Sequence, residues 1–264
     1  MIPESITSLY LPYPSQEDRL VRVCVPEHEE GETFPVVYMT DGQNLFEEEG
    51  TRFGSWHTRE AVAAVRERGG KAAVIVGIDN EGDPVRRTND LLPKSIGRLF
   101  FPPDMPEAVR KTIVPAGEAF DDFVVNTLMP AVEERFPVKK GRENTAFCGS
   151  SSGGLQSFYT ALSHPDLFGA AGVFSPVFMP YHPGDFAAWV QSRAGENVPF
   201  LYLYSGAADP LEAQICQSTE MAYGLLAGCC PAERLKKDIR PENPHKEAAW
   251  AEVFEEFLGT AFEQ

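Results

Sequence analysis

The sequence predicts an α/β domain: a mostly parallel central sheet with helices on both faces and an antiparallel edge formed by its N-terminal strands. Three observations carry this. Apolar runs of strand length recur along the chain, and several are apolar almost throughout, as in strands covered on both faces. Segments with helical periodicity lie between them. Strand and helix alternate after the leading strands, which right-handed crossovers convert into parallel pairing.

In chain order, "SLYLPY" and "RLVRVCVP" have no helix between them and form the antiparallel edge. "PVVYMT" then leads through "SWHTREAVAAVRERGG", a helical segment, to "AAVIVGI". In the next helical segment, "AGEAFDDFVVNTLMPAVEERF", Phe120, Phe123, Val124, Leu128 and Val132 recur at spacings of three and four and share one face. "TAFCG" is followed by the helical "GGLQSFYTALSHPDLF", then come the strands "AAGVF" and "FLYLYSG", and "KEAAWAEVFEEFLGTAF" closes the chain as a helix. Residues 79–116 and 176–198 are long, Pro-rich and aromatic, and break this rhythm. Connections of that length either build a substrate site or are surface insertions. The expectation is one domain over residues 1–264 in which both shape the substrate site.

A chain of 264 residues with 43% hydrophobic residues buries a substantial core. The formal net charge of -16, with no basic cluster to reverse it locally, excludes nucleic acid and anionic membrane surfaces as partners. No segment reaches transmembrane length and the N-terminus carries no basic-then-apolar leader, so a soluble, cytoplasmic protein is expected. Five scattered cysteines without paired spacing argue against a disulfide framework or a zinc site.

The chemistry concentrates in "FCGSSSGGL", residues 147–155, between a strand and a helix. A tight strand-to-helix turn of G-x-S-x-G type holds its serine in a strained conformation with the oxygen exposed at the strand's C-terminal end. Only Ser151 has glycines both two before, Gly149, and two after, Gly153. Such a nucleophile is followed in the chain by an acid and then a histidine. His245 lies before the last helix, whereas His164 ends the helix after the serines and His182 sits in a Pro-rich loop. Asp209, three residues after Gly206 at the end of "FLYLYSG", is the candidate acid, with Glu212 as second choice; Asp209 also fits the role of cap for the helix beginning near Pro210. Two backbone N–H groups should face the developing oxyanion, one from Ser152 and one from Gln43 in the loop after "PVVYMT".

With these pieces in place, the chain resembles the esterase family of α/β-hydrolases that includes enterochelin esterases and feruloyl and acetyl-xylan esterases. The resemblance runs through "VVYMTDGQNLF", "WHTREAVAAV", "VIVGIDN", "RRTNDLLP", "FDDFVVNTLMPAVEERFPV", "RENTAFCGSSSGGLQSFY", "HPDLFGAAGVFSP", "YSGAAD" and "HKEAAW", in that order. It implies the α/β-hydrolase fold, Ser151 as nucleophile, His245 as base, Asp209 at the position of the family's acid and Gln43 at the first oxyanion position. It also implies that Arg86, Arg87, Phe178 and Trp189 line the substrate pocket. Two departures bear on the acyl pocket: Ser152 stands where methionine is common, and "DLLP" replaces a Glu-containing version.

The expected function is a serine esterase acting on an acylated carbohydrate or siderophore-type ester through an acyl-enzyme, with no metal or organic cofactor and a small-molecule ester as its partner. A thioesterase or acyltransferase would use the same triad. A non-catalytic binding protein has no need of all three residues.

Overall fold

A computed structural model describes residues 1–14, 17–48, 51, 53–80 and 82–263. The leading apolar runs form β1 (Ser5–Leu11) and β2 (Arg19–Val25), paired antiparallel from Ser5 opposite Val25 to Leu11 opposite Arg19. There follow β3 (Val36–Thr40), α1 (Thr58–Glu67), β4 (Val74–Ile78), α2 (Pro84–Asp90), α3 (Glu107–Arg110), α4 (Gly117–Phe123) and α5 (Met129–Arg135). The second half comprises β5 (Thr145–Ser150), α6 (Ser152–Ser163), β6 (Ala170–Phe174), α7 (Pro183–Arg193), β7 (Phe200–Gly206), α8 (Pro210–Ala227), β8 (Leu235–Arg240) and α9 (Glu247–Ala261).

The strands join in one sheet in the order β1-β2-β4-β3-β5-β6-β7-β8. β2 pairs antiparallel with β4 as well as with β1, and every pairing from β4 to β8 is parallel. β3, β4, β5, β6 and β7 are buried at every residue, which is why they read as unbroken apolar runs. β8, "LKKDIR", is an edge strand and was not legible as one. Its lysines and Arg240 are engaged with acids on α8, α9 and the strand itself, and such charges are how an edge avoids further pairing.

Helices cover both faces. α1 and α9 pack together, with Trp56, Phe174, Trp250, Phe254 and Phe257 in mutual ring contact beneath them. α6 packs on β5 and β6, and α4 packs against α6. The face predicted for the helix over 117–135 is buried at all five positions, although a π-helical turn, Val124–Leu128, separates α4 from α5.

The two long segments meet. Leu99 bridges antiparallel to Tyr181, Phe100 N–H donates to the Pro180 carbonyl at 2.6 Å, and the Arg98 guanidinium grips Asp185 at 2.8 and 3.0 Å. Residues 183–193, read as loop, form α7, opened by Pro183 with Asp185 in its first turn. No helix among the described residues is long and apolar enough to cross a membrane.

This topology puts the C-terminal ends of β3, β5 and β7 along one rim, where ligands of open α/β sheets are held.

Candidate active site

Ser151 sits between β5 and α6 with φ 60 and ψ -124, outside the regions an L-residue normally occupies. The surroundings over-determine that conformation: the Ser151 N–H donates to the Phe174 carbonyl at 3.0 Å, while its carbonyl accepts from Leu155 and Val177 at 3.1 and 3.2 Å. The flanking glycines are needed for close approach. A Cβ on Gly149 would stand 2.5 Å from Thr40 Oγ1 and 2.6 Å from the Gly153 carbonyl oxygen, and one on Gly153 would collide with Thr40 Oγ1. Gly149→Ala should therefore cost about 1–3 kcal/mol of stability, the range for overpacking, read as a lower midpoint in urea at unchanged slope.

His245 reaches the rim on the segment between β8 and α9. That segment can dock because Gly206 ends β7: a Cβ there would collide with the Asn243 carbonyl, which instead accepts from the N–H groups of Ala207 and Ala208 at 3.2 and 3.1 Å. His245 Nδ1 lies 2.5 Å from Glu212 Oε2, and Trp250 stands edge-on to the imidazole at 5.1 Å between centroids. Glu212 is fully buried and its other oxygen accepts from Ser175 Oγ at 2.5 Å, Ser205 Oγ at 3.2 Å and the Gly206 N–H at 2.7 Å. Ser175, itself at φ 41, also accepts from the Trp250 indole at 2.9 Å. Burial alone would raise the Glu212 carboxyl, but the hydrogen bonds from His245, Ser175 and Gly206 outweigh it and hold it below its ordinary range. The carboxylate is thus charged and accepts from Nδ1–H, which leaves Nε2 as the ring nitrogen not engaged by Glu212.

Asp209, the first choice for the acid, does a different job. Its Oδ1 accepts from the Leu211 and Glu212 N–H groups at 3.0 and 2.9 Å as the cap of α8, and its Oδ2 accepts from the His245 backbone N–H at 2.8 Å. Both oxygens are spent on main chain, so the imidazole falls to the second choice, Glu212. One turn further along the helix, its longer side chain reaches under the end of β7.

The turn after β3 carries the other half of the site. Asp41 adopts the left-handed conformation at φ 58 and Gly42–Asn44 form one 3₁₀ turn. Three elements hold it. Arg87 on α2 grips Asp41 through Nε at 2.6 Å and a terminal nitrogen at 2.7 Å, and that nitrogen also lies 3.4 Å from the Ser150 carbonyl. Asn80 donates to Asp41 Oδ1 at 2.6 Å, and its backbone N–H donates to Gln43 Oε1 at 3.1 Å. Asn44 donates to Glu247 Oε1 at 3.2 Å. Ser152 is the first residue of α6, so its N–H has no acceptor inside the helix. Arg87 thus ties the Gln43 turn to the strand end that carries Ser151; with Gln43 as the expected oxyanion donor, Arg87→Gln should lower kcat about 10²-fold with KM changed far less.

Ser151, His245, Gln43, Asn44, Asn80, Arg87, Trp250 and Glu247 border one cleft of about 410 Å³. Of the four pocket residues suggested by resemblance, Arg87 borders this cleft with its guanidinium committed to Asp41. Arg86 faces a separate depression with Glu17, Asp18 and Asp79. Phe178 and Trp189 are buried against Phe158 and Phe186 in the packing behind α6. Resemblance places a residue along the chain, and the packing of 176–198 against α6 turns these rings inward. Glu247, Asn44 and Trp250 had not been singled out; only the proximity of Glu247 and Trp250 to His245 in sequence pointed to them.

Residues 15–200 match the family model described as "Esterase: Putative esterase". A siderophore triacetylfusarinine C esterase from Aspergillus fumigatus is 31% identical over 176 residues, 63% of this chain and 54% of that protein. The chain spans about half the length of the curated relatives it matches. Among solved structures, a ferulic acid esterase from Anaeromyces mucronatus superposes with TM-score 0.69 at 20% identity, covering 99% of this chain and 92% of that one. A ferric enterobactin esterase from Salmonella typhimurium gives 0.73 at 18%, covering 99% and 58%. These likenesses show the same fold. With its matched region running from just ahead of β2, through the Gln43 turn and the Ser151 turn, to the first residue of β7, the chain belongs to the esterase family.

Proposed function

We propose that the protein is a serine esterase that hydrolyses a carboxylic ester through an acyl-enzyme. The observation that carries this is a buried Glu212 carboxylate bonded to Nδ1 of His245, whose ring borders the same cleft as a serine held at φ 60. His245 Nε2 takes the Ser151 proton as Oγ attacks the ester carbonyl, and Glu212 stabilises the imidazolium so formed. The N–H groups of Gln43 and Ser152 receive the oxyanion. The imidazolium returns its proton to the leaving alcohol, and water repeats the sequence to release the acid. No step draws on a metal or organic cofactor.

Membership of the esterase family supports ester hydrolysis, as do relatives named for siderophore and ferulic acid esters. The substrate is a small-molecule ester of the siderophore or acylated-carbohydrate type. The segment 79–116 shapes its site through Asn80, Gly82, Pro84, Arg87 and Thr88, which border the cleft, whereas 176–198 supports that segment from behind.

Rapid mixing with p-nitrophenyl acetate tests the acyl-enzyme. A burst of nitrophenolate equivalent to the enzyme present, followed by slower turnover, is expected. Absence of both burst and turnover, there and on acetyl, feruloyl and siderophore esters, would contradict the proposal.

A further inference from the structure

The cleft contains a carboxyl group that takes no part in the proton transfers set out above and whose one stated role there is to anchor Asn44. Glu247 opens α9 and is 8% exposed, so nine-tenths of it is buried, and it borders the same cleft as Ser151 and His245. Its side chain accepts a hydrogen bond from a neutral group, Asn44, at 3.2 Å. Among the described residues, the charged and titratable groups around it are committed elsewhere. Arg87 spends its guanidinium on Asp41 in a two-point grip. Glu48, across Gly54, is engaged with His57 at 2.9 Å, and the His245 ring is held by Glu212. Burial pushes the Glu247 carboxyl up to about 7, with the Asp41 charge adding to the rise and its own backbone N–H, Arg87 and His245 opposing it.

A buried carboxylate without a counter-ion is costly, and a ligand that brings a positive charge recovers part of that cost on binding. An anionic ligand meets the opposite: repulsion from Glu247, in a molecule whose formal net charge is -16. We propose that Glu247 is a specificity-determining residue that selects esters carrying an ammonium group close to the scissile carbonyl. This rests on reading the cleft as an esterase active site, and it adds the charge of the substrate to that reading. The ammonium sits against the Glu247 carboxylate, with the Asn44 side chain beside it, while the carbonyl lies over Ser151.

The test uses matched esters in the full chain. One pair is acetylcholine and its uncharged isostere with a tert-butyl group in place of trimethylammonium; the other carries the same replacement on the acyl side of a p-nitrophenyl ester. The readout is the ratio of kcat/KM for the charged over the uncharged ester, in which ionisations on the reaction path act on both alike and cancel. In at least one pair the ratio should exceed unity roughly tenfold above pH 8, as for a coulombic contact between opposite charges in a partly desolvated cleft, and fall toward unity below pH 6 as Glu247 takes a proton. Glu247→Gln keeps an acceptor for Asn44 and should abolish both the preference and its pH dependence.

A ratio near unity in both pairs at every pH in the wild-type protein overturns the inference while turnover of the uncharged esters leaves the esterase reading standing. Survival of the preference in Glu247→Gln overturns it equally. Should no ester be turned over at all, and Ser151 take no organophosphorus label, the esterase reading falls and this inference with it. The wild-type pH series stands on its own if the variant does not fold.

Discussion

Ser151→Ala should lose ester hydrolysis by on the order of 10⁵–10⁶ in kcat, leaving only what the oxyanion donors and substrate binding supply. The loss follows from the position of the side chain: Ser151 borders the cleft with His245, on a backbone that three main-chain hydrogen bonds hold at φ 60. Stability should move independently of activity. A non-glycine residue in such a conformation stores about 1–3 kcal/mol. Ser151→Gly should therefore be more stable in denaturant than Ser151→Ala while being equally inactive. Equal stability of the two variants would show that the elbow holds no strain at this position.

The second large effect separates two neighbouring acids. Glu212→Gln should reduce kcat by about 10³–10⁴, because an amide accepting from Nδ1 no longer stabilises the imidazolium and can reverse the ring's tautomer. Asp209→Asn should cost far less, since Asp209 holds main-chain N–H groups and never the imidazole ring. Asp209→Ala should lower stability by about 1 kcal/mol through the lost helix cap. The two variants invert this order only if Asp209 is the acid. Glu212 also links pH to stability. Its carboxyl lies below the ordinary range in the folded protein, so its contribution is present above the unfolded value and is lost as pH falls through the folded one. The stability gap between wild type and Glu212→Gln should accordingly close in acid and not in alkali.

The fold was legible because its signals are local. β3 to β7 are buried on both faces and announce themselves as apolar runs, and the elbow needs small residues at fixed offsets from Ser151. His245 was singled out from the three histidines after Ser151 by chain order together with its place before the last helix. What escaped was decided by side-chain reach. Asp209 and Glu212 lie three residues apart at the same strand end, and sequence order favours the nearer one. Which of them meets the ring depends on whether the nearer is spent capping α8, and that is a matter of hydrogen-bond geometry. β8 escaped because an edge strand rich in lysine carries no apolar signature. Arg87 was assigned to substrate by resemblance, and only its two short bonds to Asp41 reveal that it serves the turn bearing Gln43. Phe178 and Trp189 illustrate the converse, since aromatic residues in a long connection are as readily packing as pocket.

The central claim is that Ser151 is the activated nucleophile, and covalent labelling by a fluorophosphonate tests it most directly. The folded protein should gain one adduct per chain, mapped by mass spectrometry to the peptide containing Ser151. The adduct should be absent from Ser151→Ala and should form much more slowly in Glu212→Gln. An unlabelled folded protein, or an adduct on any other residue, would contradict the account.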